Sequence, residues 1–100
     1  MERDLVHQIV EYAQLRRWLV VHFLPAQHRE YWRTAYIGSA GFPDIILVRD
    51  GRLVAYECKE KYRKPTPAQV LWLDALGDVP GVTARVVRPE DWKIIEKELR

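Results

Sequence analysis

An Asp-Gly pair stands between two apolar runs near the middle of this 100-residue chain. Ile45-Ile46-Leu47-Val48 precedes Asp50-Gly51, and Leu53-Val54-Ala55-Tyr56 follows it. Asp-Gly supplies the positive-φ positions of a tight turn whose twist matches that of the flanking strands, so the segment predicts a β-hairpin. A two-residue turn fixes the register, because residues equally far from it oppose each other. Asp44 and Glu57 each lie six positions out from the turn, so they face each other at the open end of the hairpin. Directly opposed side chains have Cβ atoms roughly 4.5–5.5 Å apart, and like charges there repel. A cation between them removes the repulsion. Lys59, two residues past Glu57, points to the same face of its strand. Two acids and a lysine on one face are the groups that metal-assisted phosphodiester hydrolysis requires.

The rest of the chain surrounds this hairpin with alternating elements. Residues 2–17 predict an amphipathic helix, with Leu5, Ile9, Tyr12 and Ala13 at helical spacing and Val6 and Val10 beside them. Glu2 falls on the apolar line of that helix and Glu11 on the polar side, so Glu2 is the acid able to look inward. Trp18 to His22 predicts a short strand. Residues 23–40 have no clean period and predict a functional loop, with room for a short strand at 34–37. The first hairpin strand is continuously apolar, as expected for burial on both faces. After a charged loop at 60–65, Thr66 suits a helix N-cap, Pro67 the first helical position and Gln69 a capping box. That helix runs to about Leu76 and stops at Gly77. Val82–Val87 predicts a strand, and Pro89 starts a last helix with Trp92, Ile95 and Leu99 on one side. The expected order is α-β-β-β-α-β-α, a mixed central sheet flanked by helices in a single domain spanning 1–100.

Composition limits the partners. Formal charge is only +2, but basic residues cluster at Arg16-Arg17, at Arg29 and Arg33, and at Lys59, Lys61, Arg63 and Lys64. Such clusters can form a phosphate-binding rim or a merely solvated face. Cys58 is the only cysteine, which excludes an intramolecular disulfide and a CxxC zinc site and fits a reducing cytoplasm. No apolar run is long enough to span a membrane, and there is no signal peptide.

Mg²⁺ takes oxygen ligands, typically one or two carboxylates with water and phosphate. Asp44 and Glu57 supply the carboxylates, and the Cys58 backbone carbonyl is placed as a third ligand. Lys59 can orient or deprotonate the attacking water, or neutralise charge in the transition state. Glu2 can complete the shell or hold a bound water. Gln69 can cap its helix, contact phosphate or water, or do both. Each residue also has a structural explanation: Asp44 as the turn residue after Pro43, Glu57 and Lys59 as a polar strand face. Those explanations leave the opposition of Asp44 and Glu57 unexplained. His22, at a strand end, packs or contacts nucleic acid, and neither it nor His28 has a zinc-like partner pattern. Tyr31 and Trp32, interleaved with Arg29 and Arg33, can lean on nucleic acid. Tyr12, Trp18, Trp72 and Trp92 are core or interface residues.

Pro43-Asp44 with Glu57-Cys58-Lys59 resembles the signature of the PD-(D/E)xK nuclease superfamily. Within it the chain resembles a stand-alone VRR-NUC domain over almost its whole length. The likeness includes Glu2 opening the first helix, Trp18 before Val20-Val21-His22, Trp32-Arg33-Thr34, and Gly41-Phe42-Pro43-Asp44. It continues through Thr66-Pro67-Ala68-Gln69, Trp72-Leu73, Val87-Arg88-Pro89 and Asp91-Trp92. The resemblance implies a restriction-endonuclease-like fold and a DNA endonuclease using Mg²⁺, with Mn²⁺ accepted, and no nucleotide cofactor. It implies the catalytic set Glu2, Asp44, Glu57, Lys59 and Gln69, with metal held by Asp44, Glu57, Glu2 and the Cys58 carbonyl. DNA contacts are expected from Arg29, Arg33, Ser39, Lys61, Arg63, Lys64 and His22. Small members of this type resemble Holliday junction resolvases, are encoded by phages or bacteria, and act as homodimers on branched DNA in the cytoplasm. Flaps, nicks or ordinary duplex are the alternative substrates, and a non-catalytic DNA-binding module is the alternative function.

Overall fold

The computed structural model describes residues 2–24, 26–28, 31–33 and 36–100, with side chains described for 4–24 and 36–100. The chain runs α1 (Glu2–Leu15), β1 (Leu19–His22), β2 (Ala26–His28), β3 (Tyr31–Arg33), β4 (Ile45–Arg49), β5 (Arg52–Cys58), α2 (Pro67–Gly77) and β6 (Val82–Val87). A 3₁₀ turn (Pro89–Asp91) leads into α3 (Trp92–Glu98). This is an α+β chain built on a four-stranded mixed sheet in the order β1-β4-β5-β6. The first two pairings are antiparallel and the β5–β6 pairing is parallel, with α2 as the crossover.

The hairpin has the register set by its turn. Ile45 pairs with Tyr56, Leu47 with Val54 and Arg49 with Arg52. Asp50 and Gly51 both carry positive φ, at 50° and 78°, as a type I′ turn demands. Side-chain alternation then divides the sheet into two faces. Ile45, Leu47, Val54, Tyr56 and Cys58 pack against Leu5, Val6, Ile9 and Ala13 of α1 and against Ile95 and Leu99 at the C-terminal helix. Asp44, Ile46, Val48, Ala55 and Glu57 belong to the other face, where α2 lies.

That second face departs from expectation. β4 is buried on one side only: Ile45 and Leu47 are fully buried, whereas Val48 is 39% exposed. The reason is the position of α2, which packs chiefly on β6 and less on β5. Beyond it, Leu19 and Val21 of β1 are exposed beside Val48. A second difference lies in residues 23–40. Two three-residue strands, β2 and β3, pair antiparallel there with Gln27 opposite Trp32. Of the expected strand at 34–37, Thr34 and Ala35 lie outside the described residues, and Tyr36 and Ile37 are not strand.

Helix α1 ends two residues earlier than its periodicity predicts. Arg17 adopts φ 66°, and the Trp18 and Arg17 N–H groups donate to the Ala13 and Gln14 carbonyls at 2.9 and 3.1 Å, a Schellman closure. The turn delivers Trp18 into the core, 4% exposed. Its indole N–H donates to the Leu99 carbonyl at 2.9 Å, and the Arg49 guanidinium lies 4.5 Å above the ring.

Tyr56 links the sheet to α3. Its hydroxyl donates to Glu98 Oε1 at 2.5 Å, and Arg85 holds Glu98 Oε2 at 2.7 Å. Burial, reinforced by the Glu98 hydrogen bond and charge, pushes the Tyr56 hydroxyl well above its ordinary pKa of 10.0. A raised folded-state pKa means that this stabilisation is complete below about pH 10 and is lost as pH rises beyond it, where the unfolded chain ionises first. Tyr56→Phe is expected to cost about 1 kcal/mol at pH 8. The difference from wild type should shrink towards pH 11. Urea midpoints for both proteins across that range measure it, and a constant difference would refute the coupling.

No helix among the described residues is long and apolar enough to cross a membrane.

Candidate active site at the open end of the hairpin

β5 runs past the end of the β4 ladder, and Asp44 enters the space this opens. Its main-chain carbonyl accepts from the Phe23 N–H at 2.9 Å, which ties it to the end of β1. Its side chain replaces a ladder partner: Oδ2 accepts the Cys58 N–H at 2.9 Å. In an extended strand the N–H and C=O of one residue point to the same side. The Cys58 carbonyl is therefore directed to the β4 side, where Asp44 stands, while its side chain is buried in the core on the opposite face.

Among the described residues Glu57 is the only charged one in the buried set, 2% exposed. A carboxylate so far from water needs compensation. Lys59 Nζ lies 3.7 Å from its Oε2, and the Gln69 side-chain amide donates to the same oxygen at 3.3 Å. Lys59 is held by its own main chain, whose N–H donates to the Val87 carbonyl at 3.0 Å and extends the β5–β6 pairing beyond Cys58.

Gln69 serves two roles with one amide. Its Oε1 accepts the Thr66 N–H at 2.9 Å, while its own main-chain N–H donates to Thr66 Oγ1 at 3.2 Å, completing the capping box at the start of α2. Capping thus directs the Gln69 NH₂ towards Glu57. Helix α2 is positioned in turn by Gly41, at φ 98°. A Cβ at Gly41 would stand 2.5 Å from the Ala68 carbonyl carbon and 2.8 Å from the Gln69 nitrogen. Only glycine lets the chain before Asp44 lie against the first turn of α2. Two further contacts fix this docking. The Trp72 indole N–H donates to the Ser39 carbonyl at 3.2 Å, and Phe42 makes an edge contact with Trp72 at 5.0 Å.

Asp44, Glu57, Lys59 and Gln69 are therefore brought together. Glu2 opens α1, which covers the other face of the sheet, and its side chain lies outside the described residues. Arg29 also lies outside them; Arg33 belongs to β3, with its side chain outside the described set. Lys61, Arg63 and Lys64 are exposed on the loop before α2. That loop is tied down by the Arg88 guanidinium, which donates to the Arg63 carbonyl at 2.7 Å. Ser39 is exposed at the mouth of a cleft beside Asp44. His22 pairs with Ile45, so its side chain points to the α1 face, away from Asp44 and Glu57. The sequence alone assigns no role to Gly41 or Phe42, although a glycine two residues before a proline-aspartate pair is the visible signal of a close backbone approach.

Among the described residues no three His, Cys, Asp or Glu side chains cluster as a metal site, unlike the closed four-ligand sites of structural zinc. No protein-family model matches the chain, and no curated protein matches it.

Proposed function

We propose that this chain is a metal-dependent DNA endonuclease of the PD-(D/E)xK type, with a restriction-endonuclease-like fold resembling the VRR-NUC domain, and that it cuts at branched DNA. The observation that carries this reading is the meeting of four side chains at the open end of the hairpin: Asp44 Oδ2 takes the N–H of Cys58, the residue after Glu57, and Lys59 and Gln69 both stand at Glu57 Oε2.

Asp44, Glu57 and the Cys58 carbonyl would hold Mg²⁺ or Mn²⁺, and Glu2 is a candidate for the set on the resemblance alone. The chemistry such an ion would supply there is polarisation of the phosphate and activation of a water nucleophile. The chain's own residues do the rest. Gln69 fixes the rotamer of Glu57 through the hydrogen bond that its capping role orients. Lys59, 12% exposed in its side chain, holds a positive charge at the edge of the carboxylate pair, where the attacked phosphate gathers negative charge. Lys61, Arg63 and Lys64 extend that positive rim along the DNA. A homodimer with two-fold symmetry suits paired cuts on a two-fold junction.

Lys59→Ala tests the assignment. It should lower the single-turnover cleavage rate by roughly 10²–10³-fold, the scale on which positioned charge acts in a transition state. DNA affinity, measured with metal chelated, should change less than about threefold. Equal losses in rate and affinity would make Lys59 a phosphate contact only. Affinity should also fall steeply with salt through the rim residues, and replacing Lys61, Arg63 and Lys64 together with alanine should flatten that dependence.

A further inference from the structure

A cleft of about 560 Å³ opens directly beside Asp44 and Gln69. Its walls are aromatic: Phe23, Tyr36, Phe42 and Trp72 line it, and among the described lining residues Asp44 alone is charged. Phe42 is held by edge contacts on both sides, 5.7 Å from Phe23 and 5.0 Å from Trp72. The Trp72 ring is further fixed by its bond to the Ser39 carbonyl. The Phe23, Phe42 and Trp72 rings hold one another in place, yet Phe23 and Phe42 stay 40% and 43% exposed, and Tyr36 beside them is 60% exposed. Rigid aromatic surface open to solvent beside polar groups is the composition of a ligand site rather than of a core.

The chemistry of the walls selects the occupant. Among the described lining residues no cation is present to hold an anion, and the surface is mainly aromatic. A flat, uncharged, aromatic group is favoured, because every base has a π-face that stacks on such side chains. The cleft also shares Asp44 and Gln69 with the carboxylate site. A nucleotide whose phosphate stands at that site therefore has the aromatic walls of the cleft beside it.

We infer that the cleft receives an unpaired nucleobase adjoining the scissile phosphate, and that this contact is what selects branched or melted DNA over continuous duplex. The inference rests on the nuclease reading. In a closed duplex the base is stacked and paired, and taking it out costs energy; at a branch point or flap it is already free. The cleft therefore rewards substrates that present an unpaired base at the cut.

2-Aminopurine fluorescence tests this with the wild-type protein in EDTA, so that no cutting occurs. The probe is placed in a flap or four-way junction, either at the unpaired nucleotide of the branch or within a paired arm. Binding should change the emission of the branch-point probe several-fold and leave the paired-arm probe unaltered. Tyr36→Ala and, separately, Phe42→Leu should remove that change and weaken binding to branched DNA on the order of tenfold. Affinity for fully paired duplex should move less than about twofold. DNA binding with an unchanged branch-point signal would overturn the inference, as would equal losses on branched and paired DNA. Loss of self-association in either variant, with base signals unaffected, would make the aromatic surface a contact between copies of the chain instead. A protein that cuts DNA in Mg²⁺ without the fluorescence change would lose the base cleft and keep the nuclease. One that neither binds nor cuts any DNA would lose both.

Discussion

Asp44→Asn is expected to abolish DNA cleavage while leaving the fold and DNA binding nearly intact. Asn keeps an oxygen able to accept the Cys58 N–H, the bond that Asp44 Oδ2 makes at 2.9 Å, so the strand end loses little. What disappears is the negative charge of one of the two carboxylates assigned to the metal. Metal catalysis supplies several kcal/mol at the transition state, and each 1.36 kcal/mol is tenfold in rate. The expected loss is thus about 10³-fold or more. Glu57→Gln should lose as much, with a larger effect on stability, because Lys59 and Gln69 both lean on the carboxylate that it removes. Rates from single-turnover assays, with circular dichroism melting on the same samples, measure both effects. Either variant cutting at the wild-type rate would contradict the assignment of the carboxylates.

Gly41→Ala should be nearly as damaging by a different route. The added Cβ would meet main-chain atoms of Ala68 and Gln69 at 2.5–2.8 Å, in a residue already at φ 98°. Main chain cannot rotate away as a long side chain can, so either the 39–44 segment or the start of α2 must move. Strained φ and overpacking each cost about 1–3 kcal/mol, so a loss of about 3 kcal/mol is expected in urea unfolding. Activity should fall beyond what unfolding explains, because the displacement separates Gln69 from Glu57 and shifts Asp44. Gly51→Ala is the control. It has a comparable positive φ of 78° with no atom near its Cβ, so it should lose stability at the turn without a specific loss of rate. Equal rates for folded Gly41→Ala and wild type would show that α2 docking does not position the site.

The parts of this architecture visible in the sequence are the parts governed by local rules. Asp50-Gly51 dictates its own turn type, and the turn dictates the register from Arg49–Arg52 to Ile45–Tyr56. Thr66, Pro67 and Gln69 dictate a capped helix start within four residues. What was hidden depends on distant neighbours. An apolar run such as Ile45–Val48 reads the same whether one face or two are covered; the position of α2 over β5 and β6 decides it. The three-residue strands β2 and β3 are too short to leave a period. Gly41 fits a loop glycine until the first turn of α2 is seen against it. Likewise Phe23, Phe42 and Trp72 are scattered in sequence and become one aromatic wall only when β1, the 39–44 segment and α2 converge. The Tyr56–Glu98 bond spans 42 residues and has no local signature.

The central claim is that the carboxylates at the open end of the hairpin make this chain a metal-dependent nuclease for branched DNA. Incubating the wild-type protein with end-labelled four-way junction, flap, nicked and continuous duplex DNA, in Mg²⁺, Mn²⁺ or EDTA, tests it most directly. The account predicts cuts beside the branch point in either metal, none in EDTA, and little cutting of continuous duplex. Cleavage that persists in EDTA, or tight binding to every substrate with no cleavage in any metal, would contradict it.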